Sequence, residues 1–282
     1  MTNDSEYDIA VAYRIYPGIS KKPEIFPDDK LKLSELCLRS FRDSLGSLRA
    51  KVFVILDKCP PEYNSLFLKY FADKDVVFIE ETGIGNARTF ALQIKLLLEQ
   101  TYSEYIYFAE DDYFYLPDQF KSAIGFIKEY NAEFVTLYDH LDSYTLEIHN
   151  HPEKIVVSQG KHWRSTGSTC LSFLTTKRVQ KENKNVFATY SKKNYDASIW
   201  FVLTKRNVFN PIKILATLGE MPMFKIYGKA WLFCFGAILF GKKRTLWNPI
   251  PAGCTHIESG GLAPTIDWQN EFRKVQDKID QV

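Results

Sequence analysis

The chain has 282 residues, 45% of them hydrophobic and 25% charged, with a formal net charge of +2. That length buries a substantial core, and the balance excludes a disordered or fibrous chain while saying little about partners. Five cysteines (Cys37, Cys59, Cys170, Cys234, Cys254) include no C-x-x-C pair, which argues against a disulfide framework and a thiolate zinc site.

The polar start Met1-Thr2-Asn3-Asp4-Ser5-Glu6 lacks the basic and apolar stretches of a secretory signal, so a cytoplasmic setting is expected. Ile9 to Tyr13, Val52 to Leu56, Val76 to Ile79, Tyr105 to Ala109 and Phe134 to Tyr138 are short continuous apolar runs, the pattern of strands buried on both faces. Between them Leu33, Leu36, Phe41, Leu45 and Leu48, and then Phe90, Ile94, Leu97 and Leu98, recur at helical spacing. A further helix is expected from Leu116-Pro117-Asp118 through Phe120, Ile124 and Ile127, with Pro in its first turn and Asp favouring its N-terminus. Strand and helix alternate, which predicts an α/β fold with a mostly parallel central sheet flanked by helices. After residue 140 the alternation weakens. Leu141 to Gly160 is polar, and Trp163 to Leu174 and the aromatic-rich remainder have no clean period.

The strongest chemical signal is Tyr105-Ile106-Tyr107-Phe108-Ala109-Glu110-Asp111-Asp112-Tyr113, a buried strand ending in three acids. Crowded carboxylates resist ionising together unless a cation or hydrogen-bond donors neutralise them. Magnesium or manganese, which take oxygen ligands and bridge carboxylates to phosphates, would do so; a solvated acidic turn is the competing reading. Ligands of open α/β sheets gather at the carboxyl ends of the strands, where this triplet falls. Asp57 ends the second apolar run, and Gly83-Ile84-Gly85-Asn86-Ala87-Arg88 follows the third. Arg88 stands where a dinucleotide-binding turn needs its third glycine, which disfavours a nicotinamide or flavin enzyme.

In this order the elements resemble glycosyltransferases of the type A fold, particularly those like family two: a first strand with Tyr13-Arg14, a strand ending at Asp57, a Gly-x-Asn-x-Arg helix start, and a DXD-like Glu110-Asp111-Asp112. The resemblance covers the first 140 residues. It implies a nucleotide-sugar-binding half at 1–140 and an acceptor-side region with a C-terminal cap at 141–282, in one compact unit. It further implies that Tyr13, Arg14, Asp57, Asn86, Arg88, Glu110 and Asp111 bind the donor and that Asp112 holds a divalent cation, Mn2+ or Mg2+. Glu110 in place of the usual first Asp, and Leu56-Asp57 in place of an aspartate pair, depart from the family pattern. Two later elements extend the likeness. Asn194-Tyr195-Asp196 opens an apolar stretch, making Asp196 either the general base of an inverting enzyme or a helix cap. Thr255-His256-Ile257-Glu258 offers His256 as a far metal ligand.

The expected reaction is transfer of a sugar from a nucleoside diphosphate sugar to a glycan or lipid-linked glycan acceptor. The rivals are a sugar nucleotidyltransferase and a non-catalytic carbohydrate-binding or scaffold protein on the same fold. His149-Asn150-His151 reads as a surface loop, the alternative being a metal site, and Lys161-His162-Trp163-Arg164 as either a contact for an acceptor or a phosphate or an exposed turn with its Trp buried. From Lys205 to Arg244 eight Lys or Arg face one acid, Glu220, without any nucleic-acid-binding motif. Within it, Ala230 to Gly241 is an apolar run too short to span a bilayer. It is read as a buried helix, the alternative being a peripheral contact with the inner face of an anionic membrane.

Overall fold

The computed structural model describes residues 6–19 and 21–281, so the start Met1–Ser5 lies outside the described residues. The strands are β1 (Ile9–Ile15), β2 (Ala50–Asp57), β3 (Val76–Glu81), β4 (Tyr105–Glu110), β5 (Tyr113–Tyr115), β6 (Phe134–Val135), β7 (Ile155–Ser158), β8 (Lys161–Thr166), β9 (Phe173–Thr176), β10 (Leu246–Ile250) and β11 (Cys254–His256). The α-helices are α1 (Lys30–Leu45), α2 (Glu62–Tyr70), α3 (Asn86–Glu99), α4 (Gln119–Tyr130), α5 (Asp142–Thr145), α6 (Lys177–Phe187), α7 (Asp196–Thr204), α8 (Pro211–Ala216), α9 (Met221–Phe240) and α10 (Trp268–Asp280).

The fold is α/β. A nine-stranded mixed sheet runs β3-β2-β1-β4-β9-β6-β10-β8-β7. The apolar runs become its parallel half: β1 lies between β2 and β4, with Tyr13 opposite Val54 on one side and Ala109 on the other. Every residue of β1 and β2 is buried, as continuous apolar runs require. Beyond β4 the sheet continues through β6, at the start of the run from Phe134, and through β7 to β10, which the sequence pattern did not show. β9 is antiparallel to both β4 and β6, β6 is parallel to β10, and β8 and β7 complete the edge in antiparallel sense.

Alternation along β1 sends Ile9, Val11, Tyr13 and Ile15 into a core beneath α1, α2, α4 and α10, and Ala10 and Ala12 into a second core beneath α3, α6, α7 and α9. Phe41 on α1 packs edge-on against Tyr13, Tyr115 and Phe120. On the opposite face Phe173 stacks on Phe108 and Phe187 and meets Trp200 edge-on. Most tryptophans thereby serve the core rather than a sugar ring.

Three local expectations change. Pro117 precedes α4 rather than entering its first turn, and Asp118, in the left-handed conformation, makes no side-chain cap bond. The run from Phe134 supplies a two-residue strand, after which Tyr138 makes an isolated bridge to Cys254. The apolar run at Ala230 is the second half of α9, a helix of 20 residues kinked at Cys234, whose most apolar window has mean hydropathy 1.4, enough by length and composition to cross a membrane. The length argument against spanning therefore falls, and so does the buried-helix reading, because only 22% of its most apolar window is buried.

Candidate active site

The carboxyl ends of β1, β2 and β4 converge, and with them Arg14, Asp57 and Glu110. Arg14 and Glu110 are register partners on adjacent strands, and the guanidinium bonds the Glu110 carboxylate directly. It also donates to the Asn86 side chain and, at 3.0 Å, to the Asn86 carbonyl. Ser172 Oγ donates to the second Glu110 oxygen at 2.8 Å. Lys30, the first residue of α1, reaches Asp111 at 2.7 Å, and the Tyr16 amide donates to the same oxygen at 3.2 Å. His256 Nε2 lies 3.0 Å from Asp112 Oδ2.

Each acid of the triplet thus has its own basic partner, which is how the protein contains their mutual repulsion. Burial pushes the Asp111 carboxyl above its ordinary range, with Lys30 opposing and Asp112 adding repulsion. Burial would also raise Asp112, but the charge and hydrogen bond of His256 overcome it and hold the carboxyl at about 2. Burial works against a charge on His256, yet Asp112 outweighs it and raises the imidazole above its usual value. Lys30 and Ser172 escaped the sequence reading because neither belongs to a local motif, and Glu258, although it closes the Thr255-His256-Ile257-Glu258 segment, carries no signal of its own; Lys30 lies 81 positions from Asp111 along the chain, on the helix whose Phe41 stacks on Tyr107 of β4.

Asp57 is almost fully buried and accepts three backbone N–H bonds, from Gly83 and Ile84 on Oδ1 at 2.8 and 2.7 Å and from Gly85 on Oδ2 at 2.8 Å. Gly83 and Gly85 take φ of 95° and 80°, which is why this turn needs glycine. Asp57 therefore clamps the loop that starts α3, with both oxygens engaged. A cavity of about 490 Å³ opens between this loop and the triplet, lined by Arg14, Asp57, Asn86, Glu110, Asp111 and Asp112 among others. Two expected donor contacts lie elsewhere. Tyr13 is fully buried, because strand alternation turns it into the core against Phe41 and Phe67 when Arg14 faces the cavity. Arg88 is exposed on the first turn of α3 and does not line the cavity.

A second cavity, of about 360 Å³, lies on the other side of His256 and is lined by Asp196, Lys21, Tyr138, His140, His149, Cys170 and Glu258 among others. Asp196 sits at the first turn of α7, where Oδ1 accepts from its neighbour Ala197 at 2.7 Å and the residue before it makes no cap bond. Burial raises its carboxyl above the ordinary range, the Ala197 amide opposes, and Glu110 adds repulsion. His149 packs on Phe201, and burial lowers it to about 4. Lys161 to Arg164 is not an exposed turn but β8: Trp163 is fully buried on Phe126, and Arg164 pairs with Asp139 at 2.6 Å inside the protein.

Asp112 and His256 are the residues whose chemistry bears on a metal. Asp112 Oδ1 is buried and has no hydrogen-bond partner, an orphan that a cation would satisfy. His256 lies on β11, whose pairing with β5 sets it opposite Tyr113, next to Asp112 in the chain. Its Nδ1 is 3.3 Å from Glu258 Oε2, which Lys21 holds at 2.6 Å, the outer carboxylate that orients a ligating imidazole. The pair fits a divalent cation. Among the described residues no group of three or more His, Cys, Asp or Glu is arranged to hold one alone, so the remaining ligands would be substrate oxygens and water.

No family model and no curated protein matches the chain. Similar solved structures include S. aureus TarS, at 12% identity over 65% of this chain with a TM-score of 0.42. Its 1–349 fragment in complex with UDP-GlcNAc is 13% identical over 63% of this chain, also at 0.42. The chain spans 33% of the first and 48% of the second. The 4-diphosphocytidyl-2C-methyl-D-erythritol synthase of Anaerococcus prevotii DSM 20548 is 11% identical over 97% of this chain and 96% of its own, with a TM-score of 0.43. At such identities no residue role passes from these proteins to this one.

Proposed function

We propose that the chain is a metal-dependent glycosyltransferase that moves a sugar from a nucleoside diphosphate donor to an acceptor hydroxyl with inversion. The observation that carries this reading is Asp112, with its orphaned oxygen in the lining of the first cavity, touching His256, which lines the second. The cavity behind Arg14, Asn86 and Glu110 takes the donor, and the one at Asp196 takes the acceptor. Asp112 and His256 would hold Mn2+ or Mg2+, which when bound neutralises charge on the departing diphosphate. The acceptor oxygen attacks the anomeric carbon, the bond from that carbon to the diphosphate oxygen breaks, and the acceptor proton passes to the Asp196 carboxylate. Its raised pKa suits a group that must take up a proton near neutral pH. Asp57 acts through the loop it clamps, placing Asn86 and so Arg14.

A thermal-shift screen of nucleoside diphosphates and their sugars with and without manganese tests the reading, since a ligand of the folded state raises its apparent stability. Binding is expected only with metal. Asp112→Asn should abolish the metal dependence, Glu258→Gln should weaken metal affinity about 10- to 100-fold, the range for an outer partner of a ligand, and His256→Ala should weaken it by at least as much. Equal nucleotide affinity in Asp112→Asn, or in excess chelator, removes the metal assignment. Release of diphosphate from a nucleoside triphosphate and a sugar phosphate, without transfer, would reassign the enzyme as a nucleotidyltransferase.

A further inference from the structure

Helix α9 is apolar on both sides but covered on one. Tyr227, Ala230, Cys234 and Ile238 form its buried stripe against the domain, and the complementary stripe faces outward. On that side Leu232 is 75%, Phe235 57% and Phe240 85% exposed, and the adjoining α8 adds Ile212 at 78% and Leu215 at 60%. Soluble proteins seldom leave so large a continuous apolar patch open unless something binds it. A helix fastened along its length to a folded domain does not cross a bilayer; it lies in the interface with its free face down.

The charges around this face single out the occupant. Lys225 lies within the exposed stripe, and Lys243 follows the exposed end of the helix beside Lys242, which is itself largely exposed while pairing with Glu133 at 3.1 Å; the one acid of the segment is Glu220, at the start of the helix. Three other basic groups of the segment are engaged within the protein: Arg244 is buried against Glu133 and Glu182, Lys205 bonds the Ala237 and Ile238 carbonyls at the end of α9, and Lys213 bonds the Asn150 carbonyl at 2.6 Å. Lys229 bonds the Lys193 carbonyl and sits 3.5 Å over the Tyr195 ring, one residue from Asp196 in the chain.

We infer that the exposed faces of α8 and α9 form an in-plane docking surface for an anionic lipid membrane. The apolar side chains enter the acyl boundary, and the lysines meet the headgroups. The inference stands apart from the reaction assigned above, because it is read by binding alone. Sedimentation with phosphatidylcholine vesicles, with and without phosphatidylglycerol, tests it. The protein should pellet with the anionic vesicles at low salt, stay in solution with the neutral ones, and be released as salt rises. A lysine near such a surface contributes a factor of about five to partitioning, so Lys225→Glu with Lys243→Glu should lower it by more than about tenfold. Phe235→Ser with Phe240→Ser should cost about tenfold or more, with an unchanged far-ultraviolet spectrum showing that the fold survives. Three results overturn the inference: no pelleting with either vesicle, pelleting indifferent to both double variants, or a dimer in sedimentation velocity that Phe235→Ser with Phe240→Ser dissociates, which would give the face to a second copy of the chain.

Discussion

Replacing Asp57 by Asn removes one charge and changes one atom, and the structure says what that does. Oδ1 can keep its bonds from Gly83 and Ile84 at 2.8 and 2.7 Å. Oδ2, which accepts from Gly85 at 2.8 Å, becomes an NH2 group facing an N–H. A hydrogen bond to a charged acceptor contributes about 1.5–3 kcal/mol, and the two that remain become ordinary ones. Gly83 and Gly85 are exposed, so water can take up part of the loss. We expect Asp57→Asn to destabilise the fold by about 2 kcal/mol. With an unfolding entropy of about 2 cal/mol/K per residue, that is a fall in Tm of about 3 °C. Urea unfolding gives the value directly, with an unchanged m as evidence that the native state is otherwise intact. Nucleotide affinity should fall with it, because the same loop places Asn86. If affinity drops while the urea midpoint stays where it was, Asp57 touches the ligand itself and does not act as the clamp described.

Asp196→Asn should lower transfer by about 10²- to 10⁴-fold with little change in donor affinity, read from kcat against donor binding; near-normal turnover would leave Asp196 as a helix-terminal residue only. Because the folded carboxyl is raised above its unfolded value, it costs stability once ionised. Transfer should therefore fall as pH drops through that raised value, and Asp196→Asn should be more stable than the parent at neutral pH, which thermal unfolding across pH will check. Arg164→Met strands Asp139, which would keep only Tyr144 at 2.6 Å and Asn248 at 3.0 Å, and should cost about 3–5 kcal/mol in urea. Adding Asp139→Asn should recover much of that loss, and full additivity of the two changes would show that the pair is not coupled.

The parallel half of the sheet was legible because continuous burial leaves its mark as apolar runs, and β1 to β4 follow those runs closely. The second half was not. β7 has only Ser158 buried and shows Ile155 and Val157 to solvent, so its pattern resembles a loop, although Gln159-Gly160, both with positive φ, marked the hairpin turn to β8. The run from Phe134 to Tyr138 marks a strand, but only Phe134–Val135 pair in the sheet. Within the site, the motif residues Arg14, Asp57, Asn86, Glu110, Asp111 and Asp112 all line one cavity. Tyr13 faces the core because adjacent residues of a strand face opposite ways, and Arg88 lies outside the cavity lining because a helix turns 100° per residue from the loop that carries the motif. Lys30 and Ser172 answer to tertiary packing, which no local pattern encodes.

The pairing of β5 with β11 and of β4 with β9 sets the order in which the molecule can be completed. As the chain leaves the ribosome, β1 to β4 can assemble, but the β4 edge stays open until residues 173–176 arrive, and the acids beyond it have no imidazole until residue 256. At roughly 5–20 residues per second this interval is on the order of ten seconds. During it the site carries two of its three internal cations, from Arg14 and Lys30, and an unpaired strand edge. The part of the protein that reads as a self-contained binding half is thus finished by its last third, and a fragment ending near residue 140 would present an open β4 edge and an Asp112 without its partner.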